Sequence, residues 1–495
     1  MPGSPLLVAV DAGTTGVRAL AVDASGRVLD VAHRELTQSY PAPGLVEHDP
    51  AEILALVDET LAELCARRDP DEAVAAVGVT NQRETVVALD RADGRLLGPA
   101  IVWQDRRTAP ECAALAASDG AGAVRDRTGL TIDPYFSATK MRWLLEHRDL
   151  DEAARLGLCT VDTLVCWHLT GGVDGGAYVT DHSNASRTLL YDLDEGAWSD
   201  ELCRTFGVPA HVLATIVASC GVVGAVRAGS PLAGVPVAGI LGDQQAALFG
   251  QRCVRPGMVK ATYGTGAFLL ANAGASRPPA VDGLVTTVAW DLGDAGDRAF
   301  ALEGSSFVAG AAIQWLRDEL GLIAEAAEVG PLATSVDDAG GACFVPALVG
   351  LGSPWWDPGA RGALVGLSRG VTRAHVARAV IDALSFQGRA MLDAMRTAVS
   401  LESLRVDGGA ATMDLLCQSL ADGTRLAVER PTSVEATAVG AALCAGVAVG
   451  ACALDRLEDG YELDARFEPG DAAVPDLAYA TWLDAVGRAR SLGSA

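Results

Sequence analysis

Residues 6–22 read LLVAVDAGTTGVRALAV, two apolar runs joined by a turn of small residues. The pattern predicts a β-hairpin in which Asp11 closes the first strand and Gly13 opens the turn. Backbone N–H groups and threonine hydroxyls in such a turn can approach phosphate oxygens, because glycine leaves room for them. The pattern is equally typical of an ordinary tight hairpin. A carboxylate at this strand end, next to phosphates, makes Asp11 a candidate Mg²⁺ ligand.

A similar segment, MVKATYGTGAFLLANA, occupies residues 258–273. Its turn lies far from the first one, since Gly13 and Gly264 are 251 positions apart, well beyond the period of solenoid repeats. The sequence therefore predicts duplication of whole domains, with one domain over residues 1–250 and a second over 251–495. Predicted strands alternate with helical segments in both parts, which indicates the α/β class.

The composition excludes several classes of protein. Half of the 495 residues are hydrophobic and the formal net charge is -25, which is globular composition with the wrong sign for binding nucleic acid. The cysteines form no C-x-x-C pair and the histidines show no ligand spacing, so neither a disulfide framework nor a protein-held transition metal is expected. Lys140 and Lys260 are the only lysines, so lysine chemistry is expected to have little part.

We expect a cytoplasmic protein without an integral membrane segment. The first ten residues lack the basic start of a signal peptide. Residues 436–454 carry no charge and reach spanning length, but they are rich in alanine and glycine. This weak apolarity predicts a closely packed, buried helix rather than a membrane span.

Asp243 is the candidate general base. It follows the apolar run 235–241, so it lies where a predicted strand ends. A partly solvated aspartate there is ionised and could accept a hydroxyl proton. An aspartate at the start of residues 244–250 could equally be a helix N-cap, and the two roles are compatible.

Polar and aromatic residues elsewhere could bind a small polyol. Arg83 and Glu84 follow the predicted strand 75–80 and offer donors and acceptors to neighbouring hydroxyls, while Trp103 and Tyr135 could line its carbon chain. Taken singly, residues of these types more often form surface ion pairs or belong to the aromatic core than bind a ligand.

Long blocks of the sequence carry a family resemblance. They are DAGTTGVR (11–18), TNQRET (80–85), IVWQDRRT (101–108), TGLTIDPYFSATKMRW (128–143) and GDQQAALFGQ (242–251). The chain resembles the FGGY carbohydrate kinases from about residue 6 to 455, and within them the members that phosphorylate glycerol.

The resemblance implies a fold and a reaction. The fold would be two RNase-H-like domains of the actin and hexokinase superfamily around a central cleft. ATP with Mg²⁺ would phosphorylate a terminal hydroxyl of glycerol to give sn-glycerol 3-phosphate. The oligomeric state stays open, a homo-oligomer included.

The resemblance also implies site residues by position. Glycerol would contact Arg83, Glu84, Trp103, Tyr135, Asp243, Gln244 and Phe268, with Asp243 as general base. The nucleotide would contact Thr14, Thr15, Gly16, Arg18, Thr265, Gly310, Gln314, Gly409 and Met413, and Mg²⁺ would contact Asp11 and Asp243. Met413 stands where the family usually has asparagine and cannot hydrogen-bond to adenine in the same way.

Two other functions are compatible with these features. One is an FGGY kinase for another small polyol or a ketose, such as erythritol or a pentulose. The other is a non-catalytic nucleotide sensor of the actin superfamily. The matching substrate blocks favour glycerol, and the presence of both Asp11 and Asp243 favours an enzyme.

Overall fold

The computed structural model describes residues 6–69, 72–148, 150, 155–470 and 473–491. In chain order the strands are β1 (Leu6–Ala12), β2 (Gly16–Val22), β3 (Val28–Glu35), β4 (Glu47–His48), β5 (Val74–Asn81), β6 (Val86–Asp90), β7 (Ala100–Ile101), β8 (Leu156–Thr160), β9 (Val179–Asp181), β10 (Tyr191–Asp192), β11 (Ala197–Trp198), β12 (Thr215–Val217), β13 (Cys220–Ala225), β14 (Pro236–Gly242), β15 (Met258–Tyr263), β16 (Ala267–Gly274), β17 (Val285–Asp291), β18 (Arg298–Ser306), β19 (Cys343–Val345), β20 (Ala363–Val365), β21 (Ser403–Asp407), β22 (Val428–Pro431) and β23 (Leu463–Phe467).

The helices are α1 (Pro50–Ala66), α2 (Ala109–Ala116), α3 (Ala121–Thr128), α4 (Ser137–His147), α5 (Val161–Thr170), α6 (His182–Ala185), α7 (Asp200–Phe206), α8 (Asp243–Gly250), α9 (Gly310–Asp318), α10 (Val329–Thr334), α11 (Arg373–Met395), α12 (Asp414–Thr424), α13 (Ala436–Ala448) and α14 (Ala473–Ser491).

The first large sheet has the strand order β13-β14-β5-β1-β2-β3. The predicted hairpin at residues 6–22 is confirmed, since β1 and β2 pair antiparallel with Asp11 opposite Arg18. β5 runs parallel to β1, and β14 runs parallel to β5. The carboxyl ends of these three parallel strands meet at one edge, which is where ligands bind in open α/β sheets. We call this sheet and the helices α1 and α5 packed on it the first lobe.

The second large sheet has the order β17-β18-β16-β15-β21-β22-β23. The hairpin predicted at residues 258–273 is also confirmed: β15 pairs antiparallel with β16 and parallel with β21, so that Thr262 lies beside Asp407. Each large sheet therefore contains a hairpin followed by a strand parallel to its first arm. This sheet and helices α9 to α12 and α14 form the second lobe.

Helices α8 and α13 lie side by side between the two sheets. Residues 436–448 of the uncharged run form α13, which packs on β1, β5 and β14 and is almost wholly buried. The predicted buried helix is confirmed for this part, and the helix ends before residues 449–454. The helices touch closely because Gly440 has no side chain: a Cβ there would lie 1.8 Å from the carbonyl oxygen of Ala246. Within the part of the chain that is described, no helix is both long and apolar enough to cross a membrane.

A smaller sheet, β4-β7-β6-β8, stands beside the first lobe. Helix α4 packs on β6 of this sheet, and the buried side chains there form one apolar cluster that includes Tyr135 and Phe136. The loops after β7 and before α4 carry Trp103 and Tyr135. This layer holds both aromatic residues beside the carboxyl edge of the first sheet.

Candidate active site

The carboxyl edge of the first sheet gathers the polar residues that the sequence singles out. Asp11 is the penultimate residue of β1, Arg83 and Glu84 follow β5, and Asp243 follows β14. The strand register places Asp11 beside Thr80, and Gly242 beside Asn81. Parallel pairing therefore explains why motifs far apart in sequence meet at one place.

Arg83 and Glu84 belong to a buried cluster of four charges. Arg83 donates from Nη1 to Glu303 at 2.7 Å, and Arg187 donates from Nε to Glu84 at 2.7 Å and from Nη2 to Glu303 at 2.9 Å. All four side chains are at most 1% exposed. Two cations balance two anions, which is what a buried ionic group needs to be tolerated.

The electrostatics of the cluster differ between its two acids. Burial opposes the charge on Glu303, but Arg187 and Arg83 outweigh it and lower its pKa to about 2. Burial dominates at Glu84 and raises its pKa despite Arg83 and Arg187. The backbone of Glu84 is left-handed, with φ of 61°, a conformation that costs a residue with a Cβ roughly 1 kcal/mol or more. The ion pair with Arg187 holds this strained residue in place.

Asp243 lies at the first turn of α8 with its side chain 31% exposed. Gly242, not Asp243, occupies the N-cap position, which corrects the alternative considered from sequence. The Asp243 carboxylate lies 3.0 Å from Arg83 Nε and accepts from the backbone N–H of Gln244 at 2.7 Å. Among the described residues both contacts use Oδ1, so Oδ2 remains available to a ligand.

The two aromatic residues line the same site. Trp103 and Tyr135 meet edge to face with ring centroids 5.6 Å apart. Tyr135 accepts at its hydroxyl from Arg83 Nη2 at 3.2 Å, and Trp103 Nε1 donates to Thr14 Oγ1 at 2.9 Å. An apolar wall therefore stands between the charged cluster and the first glycine-rich turn.

The loop that carries Tyr135 is held by a lysine. Lys140 is buried and its ammonium donates to the carbonyl oxygens of Pro134, Tyr135 and Phe136 at 2.8–2.9 Å. Burial lowers the pKa of Lys140 to about 8. Its contacts are with the backbone, so Lys140 acts as a structural clamp.

The second sheet supplies Phe268, and its Lys260 contacts Gln244, which lies on α8. Phe268 lies opposite Thr262 and Ser305 in the sheet register. Lys260 and Glu303 lie two residues further along their strands, so they share the same face of the sheet as Phe268. The ammonium of Lys260 donates to Gln244 Oε1 and, at 3.1 Å, to Thr262 Oγ1. Burial lowers the pKa of Lys260 to about 8, against the attraction of Asp407, Asp243 and Glu303.

A cavity of about 1020 Å³ opens in the second lobe. Its lining includes the predicted nucleotide residues Thr265, Gly310, Gln314, Gly409 and Met413. The wall near Met413 is mostly apolar, with Ile313, Val329, Leu415 and Phe467. Met413 therefore offers a flat apolar ring system a packing surface rather than a hydrogen bond.

The remaining predicted nucleotide residues Thr14, Thr15, Gly16 and Arg18 lie outside that cavity, on the β1–β2 turn and the start of β2. Arg18 bridges the lobes, with Nη2 2.6 Å from Asp11 and Nη1 2.6 Å from Glu435. The turn therefore stands at the edge of the first lobe, beside Trp103 and Asp11.

Asp11 is a buried acid with a raised pKa. Burial raises its pKa most, Arg18 opposes this, and the negative charges of Asp243 and Glu435 raise it further. No group of three or more acidic, histidine or cysteine side chains arranged to hold a metal occurs in the described residues. Two carboxylates that repel each other are nevertheless a suitable donor set for Mg²⁺, which keeps several of its waters.

Three residues of the site escaped the sequence analysis: Arg187, Gln245 and Glu303. Gln245 Oε1 accepts from Arg83 Nη1 at 3.1 Å, beside the Glu303 contact described above. The available signal was a charged residue directly after an apolar run within a strand, as Glu303 is after residues 299–302 of β18. Such a residue is rarely buried unless it is paired.

Comparisons with known proteins agree with this geometry. Residues 6–250 match the N-terminal domain of the FGGY family of carbohydrate kinases, and residues 259–449 match its C-terminal domain. Glycerol kinases of Shewanella amazonensis and Shewanella oneidensis are each 47% identical over 494 residues, covering 98% of this chain and 99% of theirs.

Solved structures give the same result. The glycerol kinase of Plasmodium falciparum, solved with ADP, superposes with a TM-score of 0.91 at 30% identity and covers 98% of each chain. A xylulose kinase from Lactobacillus acidophilus reaches a TM-score of 0.88 at 20% identity, again over 98% of each chain. The second likeness is one of fold alone.

Proposed function

The chain belongs to the FGGY family of carbohydrate kinases, and we propose that it transfers the γ-phosphoryl group of ATP to a terminal hydroxyl of glycerol. The predicted two-domain, actin and hexokinase-like α/β fold is confirmed by the same relationship. The assignment of glycerol as substrate rests on one observation, a wall of polar and aromatic side chains. In this wall Arg83 donates a hydrogen bond to Tyr135 and forms an ion pair with Asp243.

We assign glycerol to the space in front of this wall. The guanidinium of Arg83 and the carboxylates of Glu84 and Asp243 offer the donors and acceptors that three adjacent hydroxyls require. Trp103 and Phe268 supply apolar surface for the carbons. Tyr135 and Gln244 complete the set, and the buried charge cluster with Glu303 and Arg187 fixes the orientation of the residues that contact substrate.

The chemical step follows from the position of Asp243. Its carboxylate accepts the proton of the terminal hydroxyl as that oxygen bonds to the γ-phosphorus, and the bond from this phosphorus to the β–γ bridging oxygen breaks to release ADP. Phosphoryl transfer depends mainly on positioning and charge stabilisation, so an ionised carboxylate within reach of the hydroxyl suffices as base.

The nucleotide would span both lobes. The adenosine part fits the cavity lined by Gln314, Gly409 and Met413, where it packs against apolar side chains. The phosphates would extend past Thr265 toward the Thr14–Thr15 turn, whose N–H groups and hydroxyls suit phosphate oxygens. Gly16, Arg18 and Gly310 would border the same path.

Asp11 and Asp243 are the side chains proposed to hold Mg²⁺, directly or through its waters. When bound, the ion supplies positive charge that offsets the charge on the phosphate oxygens. The division into domains 1–250 and 251–495, the cytoplasmic location and the oligomeric state remain predictions.

The proposal is tested by the release of ADP from Mg²⁺-ATP with glycerol, dihydroxyacetone, erythritol, xylulose or ribulose, and without an acceptor. We expect glycerol to exceed every other compound, with phosphate on a terminal hydroxyl. Turnover only with a sugar or longer polyol would keep the family and overturn the substrate. ATP turnover that is independent of acceptor, or no turnover at all, would favour a nucleotide sensor.

A further inference from the structure

A second cavity, of about 240 Å³, lies between the lobes and is separate from the nucleotide cavity. We call it the back cavity. It is lined by residues 25–28, 250–252, 431–433, 436, 439 and 460–462. The β2–β3 turn that forms one wall is at the opposite end of β2 from the Thr14–Thr15 turn, which places it about 20 Å away along the strand.

The back cavity contains a buried arginine with incomplete pairing. Arg252 is 2% exposed, and its Nη2 donates to the carbonyl oxygen of Ser25 at 3.0 Å. Nε and Nη1 of Arg252 have no hydrogen-bond partner among the residues that the structure describes. An arginine stays charged in a protein, and a buried charge without a partner is costly.

The surrounding backbone is shaped to admit this guanidinium. Gly26 lies against it, with φ of 89°, and a Cβ at that position would be 1.9 Å from Arg252 Nη2. The Arg252 side chain therefore fills the place that a side chain on the turn would take, with two nitrogens left to donate.

The other polar groups of the back cavity are mainly donors. The hydroxyl of Tyr461 has no partner among the described residues, and Ser433 adds a second hydroxyl. The first turn of α13 begins at Ala436, and its N–H groups have no partners within the helix. Together with the helix dipole, these donors favour a negatively charged ligand.

Two acids near the back cavity oppose an anion, and both already have partners. Glu462 lines the cavity and accepts from Thr432 Oγ1 at 3.4 Å. Asp23 accepts from Ser25 Oγ at 2.5 Å and from Arg27 Nε at 3.3 Å. Neither forms a hydrogen bond to Arg252 in the described part of the chain.

We propose that the back cavity binds the phosphate group of inorganic phosphate or of a small phosphorylated metabolite, with Arg252 as its main ligand. Nη2 of Arg252 carries two hydrogens, and the one that it does not give to Ser25 lies beside an N–H of Nε or of Nη1. Such a neighbouring pair is the fork that matches two oxygens of one phosphate. This site goes beyond the proposed kinase activity and does not depend on it.

The back cavity is placed to influence the nucleotide site. Its walls come from the β2–β3 turn and the end of α8 on one side, and from 431–436 and 460–462 on the other. Gln251 lines the cavity and donates from Nε2 to Asp407 at 2.8 Å, and Asp407 is two residues before Gly409 of the nucleotide cavity. A ligand that contacts both walls would therefore change the affinity of the protein for nucleotide. By the same coupling, bound nucleotide would change the affinity of the protein for that ligand.

The test uses the full chain with its kinase cleft saturated by glycerol and a non-hydrolysable ATP analogue. Inorganic phosphate is titrated by calorimetry and by its effect on Tm, and glycerol 3-phosphate is titrated separately. Arg252→Met is compared with Arg255→Met, which removes the same charge three residues further on from an exposed arginine paired with Glu402 and Glu458.

We expect phosphate or its ester to bind the wild type and Arg255→Met equally, and Arg252→Met more weakly by about tenfold or more, as for loss of a charge-assisted pair of hydrogen bonds. The two ligands distinguish a free anion from an ester. Without either ligand, Arg252→Met should be no less stable than the wild type, because it removes an unpaired buried charge.

Equal phosphate affinity in all three proteins, or no binding of either ligand to the wild type, would overturn the proposal. If Arg252→Met does not fold, Arg252→Lys keeps the charge without the fork and should bind more weakly than wild type. Crystals of the wild type grown in phosphate should then show the anion at Arg252, and an empty cavity there would count against the site.

Discussion

The carboxylate of Asp243 is the side chain on which turnover should depend most. Asp243→Asn keeps the shape and the N–H contact of the helix start but removes the proton acceptor. We expect kcat to fall about 10²- to 10⁴-fold, because that is the usual contribution of a general base. Steady-state kinetics with glycerol varied at saturating ATP measure the effect.

The glycerol KM separates this role from a structural one. Asparagine keeps the shape of the group that contacts glycerol and an oxygen that can accept a hydrogen bond, so kcat should fall while the glycerol KM stays within a few fold. Asp243→Asn should also unfold at a temperature close to that of the wild type, since the side chain is partly exposed. A variant with nearly normal kcat would remove Asp243 from the role of base.

Glu303 should matter for stability more than for chemistry. Glu303→Gln leaves Arg83 and Arg187 with Glu84 as the one remaining acid of the cluster, so we expect a loss of about 3–5 kcal/mol in the free energy of unfolding at pH 7. Denaturant unfolding measures it. The matched change Glu402→Gln, at an exposed ion pair, should cost less than about 1 kcal/mol.

The difference in the free energy of unfolding between the wild type and Glu303→Gln should depend on pH. The pKa of Glu303 is about 2 in the folded chain against an ordinary value of 4.5, so its charge stabilises the fold fully above pH 4.5 and ever less as the pH falls toward 2. The gap in stability between the wild type and Glu303→Gln should therefore narrow over that range. A gap that stays constant would show that the charge of Glu303 is not what stabilises the cluster.

Individual site residues differed in how far the sequence could predict them. Arg83, Glu84 and Asp243 follow strands in recognisable motifs, so parallel strand geometry was enough to expect them together. Glu303 and Arg187 lie in segments without a motif, and only the tertiary pairing of β18 with the loop after α6 brings them to the site. The partner of a single buried charge is set by contacts between segments far apart in sequence, so the local sequence pattern does not predict it.

Among the elements, the contact of α8 with α13 should be the most sensitive to small changes. Gly440→Ala would favour the helix by itself by about 1 kcal/mol. The added Cβ would meet the carbonyl oxygen of Ala246 at 1.8 Å, so the helices must separate, and we expect a net loss of about 1–3 kcal/mol in stability. Thermal and denaturant unfolding measure it.

Helix α14 provides the matched control. Gly487 is exposed and a Cβ there would meet nothing within 4 Å, so Gly487→Ala should be neutral or stabilising by up to about 1 kcal/mol. If Gly440→Ala behaved like Gly487→Ala, the two central helices would not be closely packed.

Elements with a strong local pattern were predicted well. Both glycine-rich hairpins and the buried helix in the uncharged run that begins at residue 436 agree with the sequence analysis. What the sequence could not give was the partner of α13, which comes after β22 of the second sheet yet packs on β1, β5 and β14 of the first. An alanine-rich helix fits any surface that approaches closely, so its composition predicts burial and not location.

For the molecule as a whole, the two proposed binding sites lie on different lobes, and this predicts that the cleft between the lobes closes. The proposed glycerol residues lie mainly at the edge of the first lobe. The cavity proposed for the nucleotide is lined by residues of the second lobe, all of them between positions 263 and 467. Transfer requires the hydroxyl and the γ-phosphorus to come together in a site that excludes water, because water would otherwise accept the phosphoryl group. The lobes should therefore approach each other when both ligands are bound.

Small-angle X-ray scattering measures this closure as a fall in the radius of gyration. The fall should be larger with glycerol and a non-hydrolysable ATP analogue together than with either alone, because only the pair links both lobes. Asp243→Asn should close like the wild type, since asparagine removes the base but can still accept a hydrogen bond from glycerol, and this separates closure from chemistry. Gly440→Ala should close less, because α8 and α13 lie between the two sheets and the added Cβ would push these helices apart. An unchanged radius in the wild type with both ligands would mean that the lobes are already in their reactive arrangement.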